Sequence, residues 1–195
     1  MSAFYFATAA KSAVGLVRSG NEDSAMTSRA VIAVADGMGG HAAGEVASRI
    51  AITTLAKESE IFTQDGIDFD SADDIYSSVI SSIDAIIAEF ADENPELSGM
   101  GTTLSALFLR GNAVAALHVG DSRIYRLRGN SLEQLSTDHT VIQELLTQGT
   151  ITEADVATHP QRSVLTQVLM GDGRNEPSLS IFEVKAGDRF ILCSD

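Results

Sequence analysis

The sequence predicts an α+β fold in which helices lie against antiparallel sheets, and three observations carry that expectation. Its strand-like and helix-like runs do not alternate as βαβ units do. Two amphipathic helical stretches follow one another directly, and four short β-like runs then come in succession with turn signals between them. At 195 residues, with no repeat, low-complexity tract or linker, the chain suits a single domain over 1–195 with room for a sizeable core.

Taken in order, FYFATA (4–9) and VIAVA (31–35) read as buried strands, the second stopping at Asp36-Gly37. From His41 to Lys57 the apolar residues Val46, Ile50, Ala51 and Leu55 share one helical face, with Gly44 as its weak point. A clearer helix follows, in which Ile75, Val79, Ile80, Ile83, Ile86, Ile87 and Phe90 recur at intervals of three and four. It lies between the acidic stretch 65–74 and the breaker segment ENPELSGMG. The runs TTLSALFL (102–109), AVAALHV (113–119), RIYRLR (123–128) and SLEQLS (131–136) are separated by RGN, GDS and RGN, and are expected to form one antiparallel meander. A short helix near Val141–Leu146, an irregular polar stretch through His159-Pro160, and strands near Ser178–Val184 and Arg189–Cys193 complete the order.

Charge and cysteine content exclude some functions. Thirteen Lys and Arg against 27 Asp and Glu leave a formal charge of −14, which repels a phosphate backbone and argues against nucleic acid as a partner. The single Cys193 excludes an internal disulfide framework and reads as a small core residue within its strand. The opening MSAFYFATAA lacks the basic start and apolar run of a signal peptide, so a cytoplasmic location is expected. The longest stretch without a charged residue, Leu97 to Leu109, is too short and too rich in Ser, Thr and Gly to cross a bilayer.

The stretch AVADGMGGHAAGEVAS (33–48) puts Asp36 at the end of an apolar run and follows it with three glycines in four positions. Asp-Gly is a common turn pair, so a structural role competes with a chemical one. Similar settings recur, however: Arg18 with Asn21-Glu22-Asp23, Asp121 between two strands, and Asp195 after the last strand. Carboxylates at strand ends suit Mg²⁺ or Mn²⁺, which favour oxygen ligands; two such ions about 3.5–4 Å apart can share a carboxylate and hold a water as nucleophile. Glycines beside Asp36 would let backbone and substrate come close. Arg123 and Arg126 read as solvated residues of an alternating strand, Thr102-Thr103 as β-formers, and His139 and His159 as hydrogen-bonded loop histidines.

Seven blocks in order resemble the bacterial branch of the PP2C-type metal-dependent Ser/Thr protein phosphatases. They are GLVRSGNEDS (15–24), VADGMGGHAAGEVAS (34–48), GMGTTLSAL (99–107), HVGDSRIYRLR (118–128), LSTDHT (135–140), HPQRSVLTQVLMG (159–171) and GDRFILCSD (187–195). The resemblance implies an αββα sandwich, two antiparallel sheets flanked by helix pairs, with two Mn²⁺ or Mg²⁺ ions at one edge. By the same resemblance Asp36 bridges both metals, Gly37 offers its carbonyl, and Asp195 matches a metal aspartate in the SDG motif. Glu22 and Asp23 match the acidic pair that holds metal-bound waters, Arg18 matches the arginine that grips substrate phosphate, and Asp121 matches the aspartate that helps hold a third metal in bacterial members.

The implied reaction is attack of metal-activated water on phosphoserine or phosphothreonine in protein substrates. A Ser/Thr kinase is the implied regulatory partner and a monomer the implied state. The stretch Thr147–Ser163 resembles the family's flap, which touches substrate protein. Met38 stands where eukaryotic members carry a histidine, leaving the general acid unassigned. Family members continue past the SDG motif to a last metal-binding aspartate, so the chain reads as truncated within that motif. A non-catalytic phosphatase-like domain that binds phosphoprotein is the competing expectation.

Overall fold

The computed structural model describes residues 4–16, 20–40, 42–63 and 72–195. A first sheet holds β1 (Asp23–Thr27), β2 (Val31–Met38), β4 (Leu104–Arg110), β5 (Ala113–Val119) and β8 (Ser178–Glu183) in the order β1-β2-β4-β5-β8, with the two-residue β3 (Gly101–Thr102) also pairing β2. A second sheet has the order β7-β6-β9, from β6 (Arg123–Arg128), β7 (Ser131–Gln134) and β9 (Arg189–Cys193). Every pairing is antiparallel. Helices α1 (Ala43–Thr63) and α2 (Ala72–Glu93) are long, whereas α3 (Val141–Thr147) and α4 (Glu153–Val156) are short. The fold is α+β, as expected.

Alternation along the strands separates two cores. On β2, Val31, Ala33 and Ala35 turn toward the helices, while Ile32 packs into the layer between the sheets. The helix-side core takes Leu104, Ala106 and Phe108 from β4, Ala115, Leu117 and Val119 from β5, and the α2 stripe Tyr76, Val79, Ile80, Ile83 and Ile87. The intersheet core is smaller: Leu107, Leu109, Val114, Ala116, Ile124 and Val184 are buried there. Fully buried side chains such as Leu55, Ile83, Leu107 and Leu117 each contribute about 1.5–3 kcal/mol relative to exposure. Helix α1 lies close on β2 because its inward positions Ala43, Ala47 and Ala51 are small.

Four expectations change. FYFATA does not enter a ladder; Phe6 N–H donates to the Arg29 carbonyl (2.9 Å), and Phe4 and Phe6 pack against the intersheet core. The meander is divided: β4 and β5 belong to the first sheet, β6 and β7 to the second, because the chain crosses between sheets at 120–122. The run TTLSALFL breaks at Thr103, whose N–H leaves the ladder for the Asp36 carbonyl (2.9 Å). Helix α1 extends past Lys57 to Thr63, since Glu58–Thr63 contains no Gly or Pro to stop it. The polar strand DSAMT and the short α4 carry too little hydrophobic pattern to be read in advance.

Candidate functional site

The same alternation that puts Ala33 and Ala35 on the helix side turns Asp36 toward the space between the sheets, at the end of β2. Asp23 stands directly across from it in the β1–β2 register. Directly opposed residues point to the same face with Cβ atoms about 5 Å apart, so two carboxylates there repel. Asp195 follows β9 and brings its carboxyl against that of Asp36, and the Asp121 carboxylate, from the turn between β5 and β6, adds its field. Four strand ends from both sheets thus bring carboxylates to one edge of the sandwich.

Electrostatics record that convergence. Burial, then repulsion from Asp23, then the hydrogen bond and charge of Asp195, with Asp121 last, push the Asp36 carboxyl up to about 7. Asp121 is also raised, first by burial and then by Asp195, against a lesser pull from Arg123. Carboxylates held together this way require either protons or cations between them. Among the described residues no three Asp, Glu, His or Cys side chains form a ready-made cage for an ion. An open set of carboxylates fits Mg²⁺ or Mn²⁺ nonetheless, because Mg²⁺ in particular retains several waters and needs only one or two carboxylates.

Backbone packing fixes the site from behind. A Cβ on Gly37 would lie 1.9 Å from the Gly44 carbonyl oxygen, and one on Gly44 would lie 2.8 Å from the Glu22 carboxyl carbon. Both positions require glycine, and their contact presses the start of α1 against β2 and Glu22. Gly37 N–H donates to the Glu22 carbonyl (3.2 Å), and Ser48 Oγ on α1 donates to the same carbonyl (2.6 Å). Ser194 Oγ donates to Asp23 Oδ2 (3.0 Å), tying the end of the second sheet to β1.

The sequence reading missed the hydroxyls that grip Asp36. Thr103 Oγ1 accepts the Asp36 N–H (3.0 Å) and pairs with Ser122 Oγ (2.8 Å), while Thr102 Oγ1 donates to the Asp36 carbonyl (3.0 Å). Thr102 lies in β3 as expected of a β-former, whereas Thr103 falls in the break before β4; their burial at 0% and 3% exposure was the overlooked feature. Farther along the intersheet layer, Ser105 Oγ bonds both the Ser122 carbonyl and His118 Nδ1.

His139 behaves as expected of a loop histidine, its Nδ1 accepting the Gly120 N–H (3.2 Å), and His159 Nδ1 accepts the Gln161 N–H (3.2 Å). Arg123 is half exposed and pairs with Asp138. Arg126 departs from expectation. It shares the inward face of β6 with Ile124, its side chain is only 14% exposed, and its guanidinium pairs with Glu133 and lies 5.7 Å from the Phe182 ring centre. Cys193 is half-buried on β9. Met38 is exposed, and Arg18 lies outside the described residues.

A family profile described as "Protein phosphatase 2C" matches residues 20–195. "Serine/threonine protein phosphatase PstP" of Mycobacterium tuberculosis is 43% identical over 190 residues, covering 96% of this chain and 35% of that protein. "Serine/threonine phosphatase stp" of Listeria monocytogenes is 34% identical over 192 residues, covering 93% of this chain and 73% of that one. Among solved structures, the M. tuberculosis phosphatase PstP/Ppp superposes with a TM-score of 0.85 at 42% identity, covering 95% of this chain and 77% of that one. The catalytic domain of PstP in complex with two manganese ions gives 0.84 at 40% identity, covering 96% and 76%. The chain spans about a third of the length of PstP as a whole.

Proposed function

Because the chain belongs to the protein phosphatase 2C family, we propose that it is a metal-dependent protein Ser/Thr phosphatase. The observation that carries this reading is the set of carboxylates at Asp36, Asp23, Asp121 and Asp195, where burial first and repulsion from its neighbours second raise Asp36 to about 7, a setting that suits divalent cations. The PstP catalytic domain, similar over most of this chain, was solved with manganese. In this reading the Asp36 carboxylate, the Gly37 carbonyl and Asp195 would hold two Mn²⁺ or Mg²⁺ ions, and Asp121 would help hold a third. Glu22 and Asp23 hold ordered waters at the rim, and Arg18 holds the substrate phosphate through paired N–H donors. Bound cations would supply Lewis-acid activation of water and offset phosphate charge.

The protein's own groups do the positioning. Thr103 Oγ1 and Thr102 Oγ1 hold the backbone N–H and C=O of Asp36, which fixes the stretch of main chain that carries its carboxylate. Substrates are phosphoserine and phosphothreonine proteins, with the 147–163 flap as a contact surface and a Ser/Thr kinase as regulatory partner. The protein acts in the cytoplasm as a monomer; among the described residues no helix is long and apolar enough to cross a membrane. Full-length protein supplied with Mn²⁺ should release phosphate from phosphoserine and phosphothreonine peptides and spare phosphotyrosine. Arg18→Ala should raise KM more than it lowers kcat. Equal turnover of phosphotyrosine, or an Arg18→Ala variant with unchanged KM, would contradict the assignment.

A further inference from the structure

Asp84, on α2, is only 5% exposed, and its carboxylate is surrounded by neutral donors from one short segment. Oδ1 accepts the N–H groups of Met170 (3.1 Å) and Gly171 (2.8 Å) and the Asn175 side-chain amide (2.9 Å), while Oδ2 accepts the Gly173 N–H (2.8 Å). A buried carboxylate is costly unless its lone pairs are satisfied, and here a single loop satisfies them. The loop also rests on the helix itself: Gly171 has φ +81°, and a Cβ there would lie 2.6 Å from Ala88 Cα.

That loop continues into the site. Leu169 exchanges both backbone hydrogen bonds with Thr102 (2.9 and 3.0 Å), and both residues are fully buried. Thr102 is the partner of Gly37 in the β2–β3 register, and its Oγ1 donates to the Asp36 carbonyl (3.0 Å). We propose that Asp84 is a positioning residue that holds the Asp36–Gly37 peptide in place through the 169–175 loop and Thr102, thereby setting divalent-cation affinity. The inference rests on the phosphatase reading, in which the Asp36 carboxylate and the Gly37 carbonyl, on either side of that peptide, supply cation ligands. Close packing along the route leaves no slack, so release of the loop at Asp84 loosens the strand behind Asp36.

The test uses full-length wild-type protein and the variants Asp84→Asn, Asp84→Ala and Asn175→Ala. Mn²⁺ binding is read by the electron paramagnetic resonance of free Mn²⁺, well below each melting temperature. Val114→Ala, in the intersheet core, serves as a control that lowers stability without touching the loop. Asp84→Ala should weaken Mn²⁺ binding by about tenfold, Asp84→Asn and Asn175→Ala by smaller factors, and Val114→Ala not at all. Should Asp84→Ala fail to fold, the two milder variants decide. Mn²⁺ affinity unchanged in both milder variants, or lowered equally in Val114→Ala, would overturn the inference alone. A wild-type protein that binds no Mn²⁺ would remove the phosphatase reading itself.

Discussion

Replacing His118 with Asn should flatten part of the protein's acid sensitivity. His118 is 2% exposed on β5; its Nδ1 bonds Ser105 Oγ (2.9 Å), its Nε2 has no hydrogen-bond partner among the described residues, and its ring centre lies 4.8 Å from that of His139. Burial first, then His139, lowers its pKa to about 4, against weaker opposing contributions from Asp138 and the carbonyls of Thr137 and Gly120. The folded value lies below the unfolded one of about 6.5, so between these limits the unfolded chain takes up a proton that the folded chain refuses. Stability from neutral His118 is therefore present above about pH 6.5 and lost as pH falls toward 4. At ~1.4 kcal/mol per pH unit, the full loss amounts to about 3 kcal/mol. Asparagine keeps an atom near Nδ1 for Ser105 but does not titrate.

Urea unfolding of both proteins across this range, without metal, measures the effect. Asp36 works in the opposite direction, because a carboxyl raised to about 7 favours the folded state as pH falls, but its contribution is common to both proteins and cancels in the difference. Wild type should lose stability relative to His118→Asn by about 2–3 kcal/mol on going from neutral pH to about pH 4. A difference independent of pH would refute the claim that His118 is held neutral by the fold.

Other expectations concern the site and its supports. Asp36→Asn should raise the melting temperature of the metal-free protein at mildly alkaline pH, since it removes repulsion from Asp23, Asp195 and Asp121, yet abolish the rise that Mn²⁺ produces; differential scanning calorimetry with and without Mn²⁺ tests both. Gly44→Ala should destabilise by about 1–3 kcal/mol and weaken Mn²⁺ binding, because its Cβ would lie 2.7 Å from the Gly37 carbonyl carbon; denaturant unfolding and metal titration read the two effects. Asp188→Asn should lower the melting temperature without altering Mn²⁺ affinity, since the Asp188 carboxylate, 2% exposed just before β9, takes two donors of Arg128 at the end of β6 (2.7 Å each).

What the sequence revealed follows from the range of the forces involved. Strands β5, β6, β8 and β9 were legible because alternation and flanking turns are local, and α2 because its apolar repeat is long. The division of the meander was not legible, since the period of two is the same whether the next strand pairs in one sheet or crosses to another. Asp36, Glu22, Asp23, Asp121 and Asp195 stood out by chemistry at strand ends, and all lie in described segments. Thr102 and Thr103 did not stand out, because a β-branched hydroxyl in a strand has the same signature whether it faces solvent or holds a peptide. Asp84 gave no signal either; its partners lie 86 to 91 residues away and are mostly backbone N–H groups.

The central claim, that the carboxylate edge around Asp36 is a divalent-cation centre for phosphoester hydrolysis, is tested most directly by phosphate release from a phosphothreonine peptide. Full-length wild type and Asp36→Asn are compared after exhaustive chelation and again after readdition of Mn²⁺. Wild type should be silent when stripped and regain full turnover with Mn²⁺, while Asp36→Asn stays silent in both states. Undiminished turnover by the stripped wild type, or restored turnover in Asp36→Asn, would contradict the claim.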